Sequence, residues 1–598
     1  MKENIKQRLD ALRRQMSADG IDAAIVPQAD PHMSEYISDH WQGRRMLSGF
    51  TGSAGDLVVT ADKALLWTDS RYFLQAAQQL EGTGIELMKD GLAGTPSIAK
   101  WLTSNLAKGS RVGINGMVFS NVAKDDLEMK LAAEGIVLAS DFDPLDAIWP
   151  DRPALPQDKV FVHELKYAGE SAELKLAKIL ANAREQKADA VFISALDEIA
   201  WALNIRSSDV SYNPVVTSFL YVGPKGSTLF VDTAKIDADV KSYLASQNVA
   251  VAPYDSVKTF IAAIPADERV VVDAARTAAG VVDLLGARCV KGASTAAMEK
   301  ACKNDVQIAG VREAMRRDGV AMVRSLCEIQ SRVAAGESIT EMDVADILRK
   351  YRSMSPLFFD ESFGTIAGYQ GHGAIVHYEA DEDSNSELRA EGLLLIDSGA
   401  QYFDGTTDIT RTISLSKEPT ADEKRDFTLV MKGHIALGSA IFPQGTVGMQ
   451  LDVLAHQYLW KEGLNYLHGT GHGVGHFLNV HEGPQSVRMN YMPAPLTPGM
   501  ITSNEPGLYI EGVHGIRCEN LVLTVRAFEN DFGQFNRFET LTLCPFDRSL
   551  FDLDLMTNDE IEWLNDYHSR VRRELAPGLD GDALAWLEAN TEPLPLHK

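Results

Sequence analysis

The strongest restriction on the fold of this chain is that its 598 residues repeat themselves twice, at two different scales. Residues 22–26 (DAAIV) lead from a helical stretch into an apolar run, and residues 189–193 (DAVFI) do the same further on. At nearly the same separation, LLWTDSRYF (65–73) resembles TLFVDTAKI (228–236). Each is an apolar strand that ends in Asp, with a basic residue two or three places beyond. One core does not grow to this length, since domains run to about 100–200 residues. The strand–helix alternation therefore predicts two related α/β domains in tandem. The proline-rich stretch PDRPALPQD (150–158) marks their boundary.

The second repeat lies in the other half. GESITEMDVADIL (336–348) and GTVGMQLDVLAHQYL (445–459) share a glycine followed seven residues later by Asp-Val on a helix. Each follows a long amphipathic helix, expected at roughly 304–334 and 421–442, the later opened by a capping box of Thr420 and Glu423. Strand-like segments ending in carboxylates come after each pair. Two such units predict a pseudo-two-fold domain with helices outside, curved antiparallel strands inside and a cleft between the halves.

Composition excludes several classes. A net charge of −26 repels phosphate backbones and anionic membrane surfaces, so neither nucleic acid nor membrane is an expected partner. The five cysteines are odd in number and show no CxxC spacing, against a disulfide framework or a thiolate zinc site. The N-terminal MKENIKQRLDALRRQM is charged throughout, unlike a signal peptide, and no apolar run reaches membrane-spanning length. A soluble, cytoplasmic protein is expected.

Nine of the fourteen histidines fall between 372 and 514, where acidic residues also interrupt apolar strands. In GLLLIDSGAQYFDGTTDITRTISL (392–415) the run LLLI ends in Asp397 and a second strand begins near Asp408. A turn centred on Asp404-Gly405 would set position 412 opposite 397, with Asp408 on the same face as 412. A regular hairpin would leave the two carboxylates about 13 Å apart at roughly 3.3 Å per residue, so sharing a ligand requires a bulge in the TTD stretch. In YLHGTGHGVGHFLNVHEG (466–483) the glycines at 469, 471, 473 and 475 argue against a helical His468/His472 pair and let backbone pass close to a ligand. In MITSNEPGLYIEGVHGIRCENLVLTV (500–525), Glu505 ends a strand before Pro506, and Glu519 shares a strand face with Arg517. Two aspartates, two glutamates and a histidine form a hard, oxygen-rich set suited to Mn²⁺, Co²⁺, Fe²⁺ or Zn²⁺. Five ligands exceed what one open catalytic ion needs but suit two ions about 3.5–4 Å apart, bridged by carboxylates.

The ordered pattern Asp397, Asp408, His472, Glu505, Glu519 resembles the pita-bread metallopeptidases of family M24. The flanking TDITRT, HGTGHGVG, VHEGP, NEPGLYI and GIRCEN, together with HMSEYI (32–37), SGFTGSAG (48–55) and WTDSRYFLQA (67–76), look most like the long, three-domain cytosolic Xaa-Pro aminopeptidases. The resemblance spans almost the whole chain. It implies two creatinase-like domains, 1–155 and 156–298, ahead of a pita-bread catalytic domain, 299–535, with a C-terminal extension, 536–598, packed on it. It also implies hydrolysis of the N-terminal Xaa-Pro bond by a metal-bridging hydroxide. By that resemblance Asp397, Asp408 and Glu519 hold one metal, and Asp408, Glu519, His472 and Glu505 the other. Mn²⁺ is the first choice, ahead of Co²⁺, Zn²⁺ or Fe²⁺. Glu505 would be the catalytic base. His377 and His481 would act on the substrate's leaving nitrogen and carbonyl, and His468 would line the proline pocket. Tyr509 and Arg517 would orient ligands and solvent, and Arg71 would reach the substrate cleft, with His476 and His514 structural. Peptides with proline at the second position are the implied partners, and the implied assembly is a homodimer. A prolidase would share the metal site but accept only dipeptides, creatinase chemistry needs no metal, and non-enzymatic pita-bread modules lose ligands.

Overall fold

The computed structural model describes residues 2–598. It forms two compact units, one running to Leu165 and resuming over Glu170–Ala296, the other made of Lys166–Gly169 and Ala297–Lys598.

The first unit contains two six-stranded sheets of one topology. In the first, Ala23–Val26 lies between Asp56–Thr60 and Arg111–Gly113, and Ala64–Thr68 lies between Asp56–Thr60 and Glu86–Lys89. In the second, Ala190–Ile193, Ser218–Gly223, Val270–Asp273 and Gly226–Val231 take those same places. The centre of each sheet is antiparallel and its flanks parallel. The pieces matched in the sequence are thus equivalent strands. AAIV and AVFI are buried throughout, as strands covered on both faces must be. Buried His32 ties the two sheets' loops, with Nδ1 2.9 Å from the Ser194 carbonyl and Nε2 3.0 Å from the Tyr254 hydroxyl.

In the second unit, Asp305–Ala334 pairs with Glu341–Arg352, and Ala421–Gly438 with Met449–Lys461. Capping boxes at Asn304/Gln307, Thr340/Asp343 and Thr420/Glu423 satisfy the first amides of three of these helices. The third helix stops at Gly438, short of the expected 442, because Ile441–Pro443 becomes an edge strand beside Gly533–Thr540. Pro443 disfavours helical backbone in the residue before it. One core packs the first helix pair on Ile366–Tyr369, Leu393–Ser398 and Ile409–Ser414. Another packs the second pair on Gly507–Ile510, His514–Arg517 and the C-terminal helices Asn558–Leu575 and Gly581–Asn590. A six-stranded sheet brings together Asn520–Asn530, Ile501–Asn504 and Gly471–Gly473.

The hairpin register differs from the expected one. Gln401 faces Thr406 and Tyr402 faces Gly405, so the turn centres on Phe403-Asp404. Asp397 therefore faces Thr410, and Thr412 faces Leu395. Gly405 serves packing rather than the turn: a Cβ there would lie 3.1 Å from Val311 Cα on the first long helix. The TTD stretch carries no bulge: the register is the same on both sides of it, and this register leaves Asp408 two residues, rather than the expected four, from the position opposite Asp397. The ladder stops after Thr406 and resumes at Ile409. Thr407 folds against the opposite strand, its amide donating to the Ala400 carbonyl at 2.8 Å and its hydroxyl accepting from the Ala400 amide at 2.9 Å. Gly399 makes room for this, since a Cβ there would lie 2.0 Å from the Thr407 carbonyl oxygen.

Candidate metal centre

Four of the five proposed ligands stand at interruptions of strands. Asp408 falls in the gap between Gly405–Thr406 and Ile409–Ser414, Glu505 follows the end of Ile501–Asn504, and Glu519 falls between His514–Arg517 and Asn520–Asn530. His472 sits where the register shifts. Only Asp397 lies within a regular strand. Regular strands would alternate these side chains across two faces, and the breaks free them to converge. Ligand atoms of Asp408, His472 and Glu519 all lie within 4.8 Å of one another. His472 Nε2 is 3.3 Å from Glu505 Oε1 and 3.4 Å from Asp408 Oδ2.

The surroundings orient each group. His472 Nδ1 donates to the Gly473 carbonyl at 3.0 Å, which fixes the tautomer and leaves Nε2 facing the carboxylates. The Ser503 hydroxyl donates to Glu505 Oε1 at 3.0 Å and accepts from the His472 amide at 2.9 Å. The Arg517 guanidinium is 2.6 Å from Asp397 Oδ2, and the Thr410 hydroxyl donates to Glu519 Oε2 at 2.8 Å. The second oxygens, Asp397 Oδ1 and Glu519 Oε1, are buried with no hydrogen-bond partner. Such atoms are costly in a protein interior unless something cationic meets them.

The electrostatics agree. Burial, reinforced by Asp408, Glu505 and Asp397, holds the Glu519 carboxyl far above the usual carboxylate range. Burial, partly offset by Arg517, raises Asp397 to about 6. Burial opposes charge on His472, but its hydrogen bonds with Asp408 and Glu505 keep it protonated well above the ordinary imidazole value. Burial likewise opposes charge on Glu505, but the hydrogen bond and positive charge of His472 bring it down to about 2. A ligating histidine must be neutral, so this proton and a cation are alternatives at one place. Four carboxylates around one imidazole, two with orphaned oxygens, fit divalent cations.

Comparison with known proteins accords with this geometry. Residues 309–526 match the model of metallopeptidase family M24, and 534–594 that of the C-terminal region of peptidase M24. Residues 8–145 and 151–307 each match a creatinase/prolidase N-terminal domain. Aminopeptidase P2 of Arabidopsis thaliana is 41% identical over 99% of this chain and 89% of its own. The chain belongs to the Xaa-Pro aminopeptidases of metallopeptidase family M24. The X-prolyl aminopeptidase of Caenorhabditis elegans, described as a cytosolic enzyme with a di-nuclear active site, superposes with a TM-score of 0.95 at 34% identity. That match covers 99% of this chain and all of the other.

Beyond the cluster, this aminopeptidase places His481 edge-on to His472, with ring centroids 4.4 Å apart. His468, Tyr509 and Arg517 form a chain that ends on Asp397. Arg517 donates to the Tyr509 hydroxyl at 2.8 Å, which donates to His468 Nε2 at 2.8 Å, while His468 Nδ1 donates to the Gly469 carbonyl. Burial lowers His468 to about 4, consistent with a neutral acceptor. His377 follows the turn Gln370–Ala374, whose Gly373 packs so tightly on the Arg517 strand that a Cβ on Gly515 would lie 1.7 Å from its carbonyl oxygen. His514 is bonded to Asp426 in the wall, and His476 is buried. Arg71 lies in the first unit, held there by Asp69 at 2.8 Å and Glu35 at 3.3 Å. Sequence reasoning passed over Thr410 and Ser503, whose hydroxyls hold Glu519 and Glu505. The signal was their position, two residues from Asp408 and from Glu505.

Proposed function

We propose that this enzyme hydrolyses the bond between an N-terminal residue and a following proline, using two divalent ions held by Asp397, Asp408, His472, Glu505 and Glu519. The observation that carries this reading is the buried convergence of Asp408, His472 and Glu519, with Glu505 3.3 Å from the imidazole. Bound there, the ions would furnish a bridging hydroxide at neutral pH and polarise the scissile carbonyl. Mn²⁺ suits the hard donor set best.

The chain's own groups would do the rest. Glu505, ionised and steadied by the Ser503 hydroxyl, would take the proton of the attacking water and deliver it to the proline nitrogen as the C–N bond breaks. His481 beside His472 would hold the carbonyl, and His377 would face the leaving nitrogen. A proline amide has no N–H to recognise, so selection falls to shape, with His468 and Tyr509 forming one wall. Arg517 would keep Asp397 oriented. The enzyme would act in the cytoplasm as a homodimer. Met449, Val453 and Trp460 share one helix face and are 44%, 45% and 45% exposed, which supports a partner surface there.

The test offers Arg-Pro-Pro and Gly-Pro separately to metal-stripped protein reloaded with Mn²⁺. Release of arginine from the tripeptide is expected. Cleavage of the dipeptide alone would make the enzyme a prolidase, and full activity after chelation would end the metal reading.

A further inference from the structure

Arg411 is fully buried, and all six of its hydrogen bonds end on neutral oxygens. Three of these acceptors belong to the centre's own strands: the carbonyls of Thr410 and Glu519 and the side-chain oxygen of Asn520. The other three belong to the C-terminal region: the Pro545 carbonyl at 3.1 Å, the Cys544 carbonyl at 2.8 Å and the Tyr567 hydroxyl at 3.0 Å. The Phe546 ring lies 3.9 Å from the guanidinium carbon. A buried cation without a counter-charge is expensive, and an apolar side chain would fill the space at lower cost. Packing alone therefore does not explain it.

What the guanidinium joins does. Glu519 is tied to residues 410–411 at three points: its amide donates to the Thr410 carbonyl at 3.2 Å, its carbonyl accepts from Arg411, and its carboxylate accepts from the Thr410 hydroxyl. A shift of Arg411 would carry Glu519 with it. Tyr567 is itself confined, stacked on Trp563 with 5.6 Å between centroids, and its hydroxyl is bonded to the Thr542 and Cys544 carbonyls as well.

We propose that the C-terminal region is a positioning element of the metal centre, acting on Glu519 through Arg411. Tyr567 and the 544–545 carbonyls set the guanidinium, whose planar fork a lysine cannot reproduce, and the guanidinium sets the Glu519 backbone. The inference rests on Glu519 being a metal ligand.

Mn²⁺ binding to the metal-stripped full chain, measured by calorimetry, tests it. Tyr567→Phe should raise the Mn²⁺ dissociation constant about tenfold, and Arg411→Lys by up to about a hundredfold, the range for partners of metal ligands. Excess Mn²⁺ should restore turnover in Tyr567→Phe. The control is Arg572→Ala, on the same helix but bonded to Thr591 and Glu592, which should lower the melting temperature and leave Mn²⁺ affinity within twofold. If Arg411→Lys does not fold, Tyr567→Phe decides alone. Wild-type affinity in Tyr567→Phe, or equal weakening in Arg572→Ala, overturns the proposal. Wild-type protein that takes up no Mn²⁺ overturns the metal reading, and this one with it.

Discussion

Loading the centre with metal should expel protons. In the ion-free protein His472 and Glu519 are both held toward their protonated forms, Glu519 by burial and His472, against its burial, by Asp408 and Glu505. Glu505, brought down to about 2, carries none. Asp397, raised to about 6, is mostly ionised at pH 7 and half protonated at pH 6. Ligation requires the deprotonated forms. Filling the site should therefore release protons, and nearly half a proton more at pH 6 than at pH 7 from Asp397 alone. Each released proton is worth tenfold in affinity per pH unit, so the overall binding constant should rise from pH 6.5 to 7.5 by about tenfold for every proton the titration counts. The sign for stability is opposite. Groups whose pKa is raised in the folded state stabilise it at low pH, and that contribution is lost as pH rises through the folded value. The ion-free protein should melt lower at pH 8 than at pH 6, and the gap to the loaded protein should widen. Calorimetric titration of chelator-stripped protein with MnCl₂, in buffers of differing protonation enthalpy, counts the protons directly. Release near zero between pH 6 and 8, or an affinity flat with pH, would refute the assigned protonation.

Two further outcomes test named residues. Glu505→Gln should cut turnover at least about a hundredfold, the loss typical of a missing general base, with the melting temperature little changed; near-normal turnover would remove Glu505 from that role. Trp460→Glu should convert a dimer to a monomer in light scattering after gel filtration, since it charges an exposed apolar face; an unchanged mass would place the partner surface elsewhere.

How far the sequence could be read depends on what each feature demands of the backbone. The tandem sheets were legible because DAAIV and DAVFI, LLWTD and TLFVD are edge-to-edge apolar runs, and burial on both faces leaves a strand no other composition. The Thr420/Glu423 capping box was legible because its two hydrogen bonds are local. The Asp397–Asp408 geometry was not. Asp404-Gly405 is the strongest hairpin signal in the stretch, yet Gly405 is spent on close approach to the helix at Val311, and the turn falls one residue earlier. Local turn chemistry lost to a packing requirement more than ninety positions away in the chain.

The same competition explains why the ligands themselves were easier to name than to place. Alternation predicts a side chain's face only while the ladder runs unbroken. In this unit the ladder breaks beside Asp408, at Glu505, at His472 and at Glu519, and three of these breaks are held by backbone bonds to another strand or loop. Thr407 folds against Ala400, the Glu505 amide bonds the Thr470 carbonyl, and the Glu519 amide bonds the Thr410 carbonyl. Residue type recorded the chemistry, because a carboxylate in an apolar strand is expensive without a cation. Position depended on these bonds, two of which join residues 35 and 109 positions apart, which no local pattern encodes. The hydroxyls of Thr410 and Ser503 belong to this second kind of information. Each looks like an ordinary strand residue until the break beside it turns it toward a carboxylate.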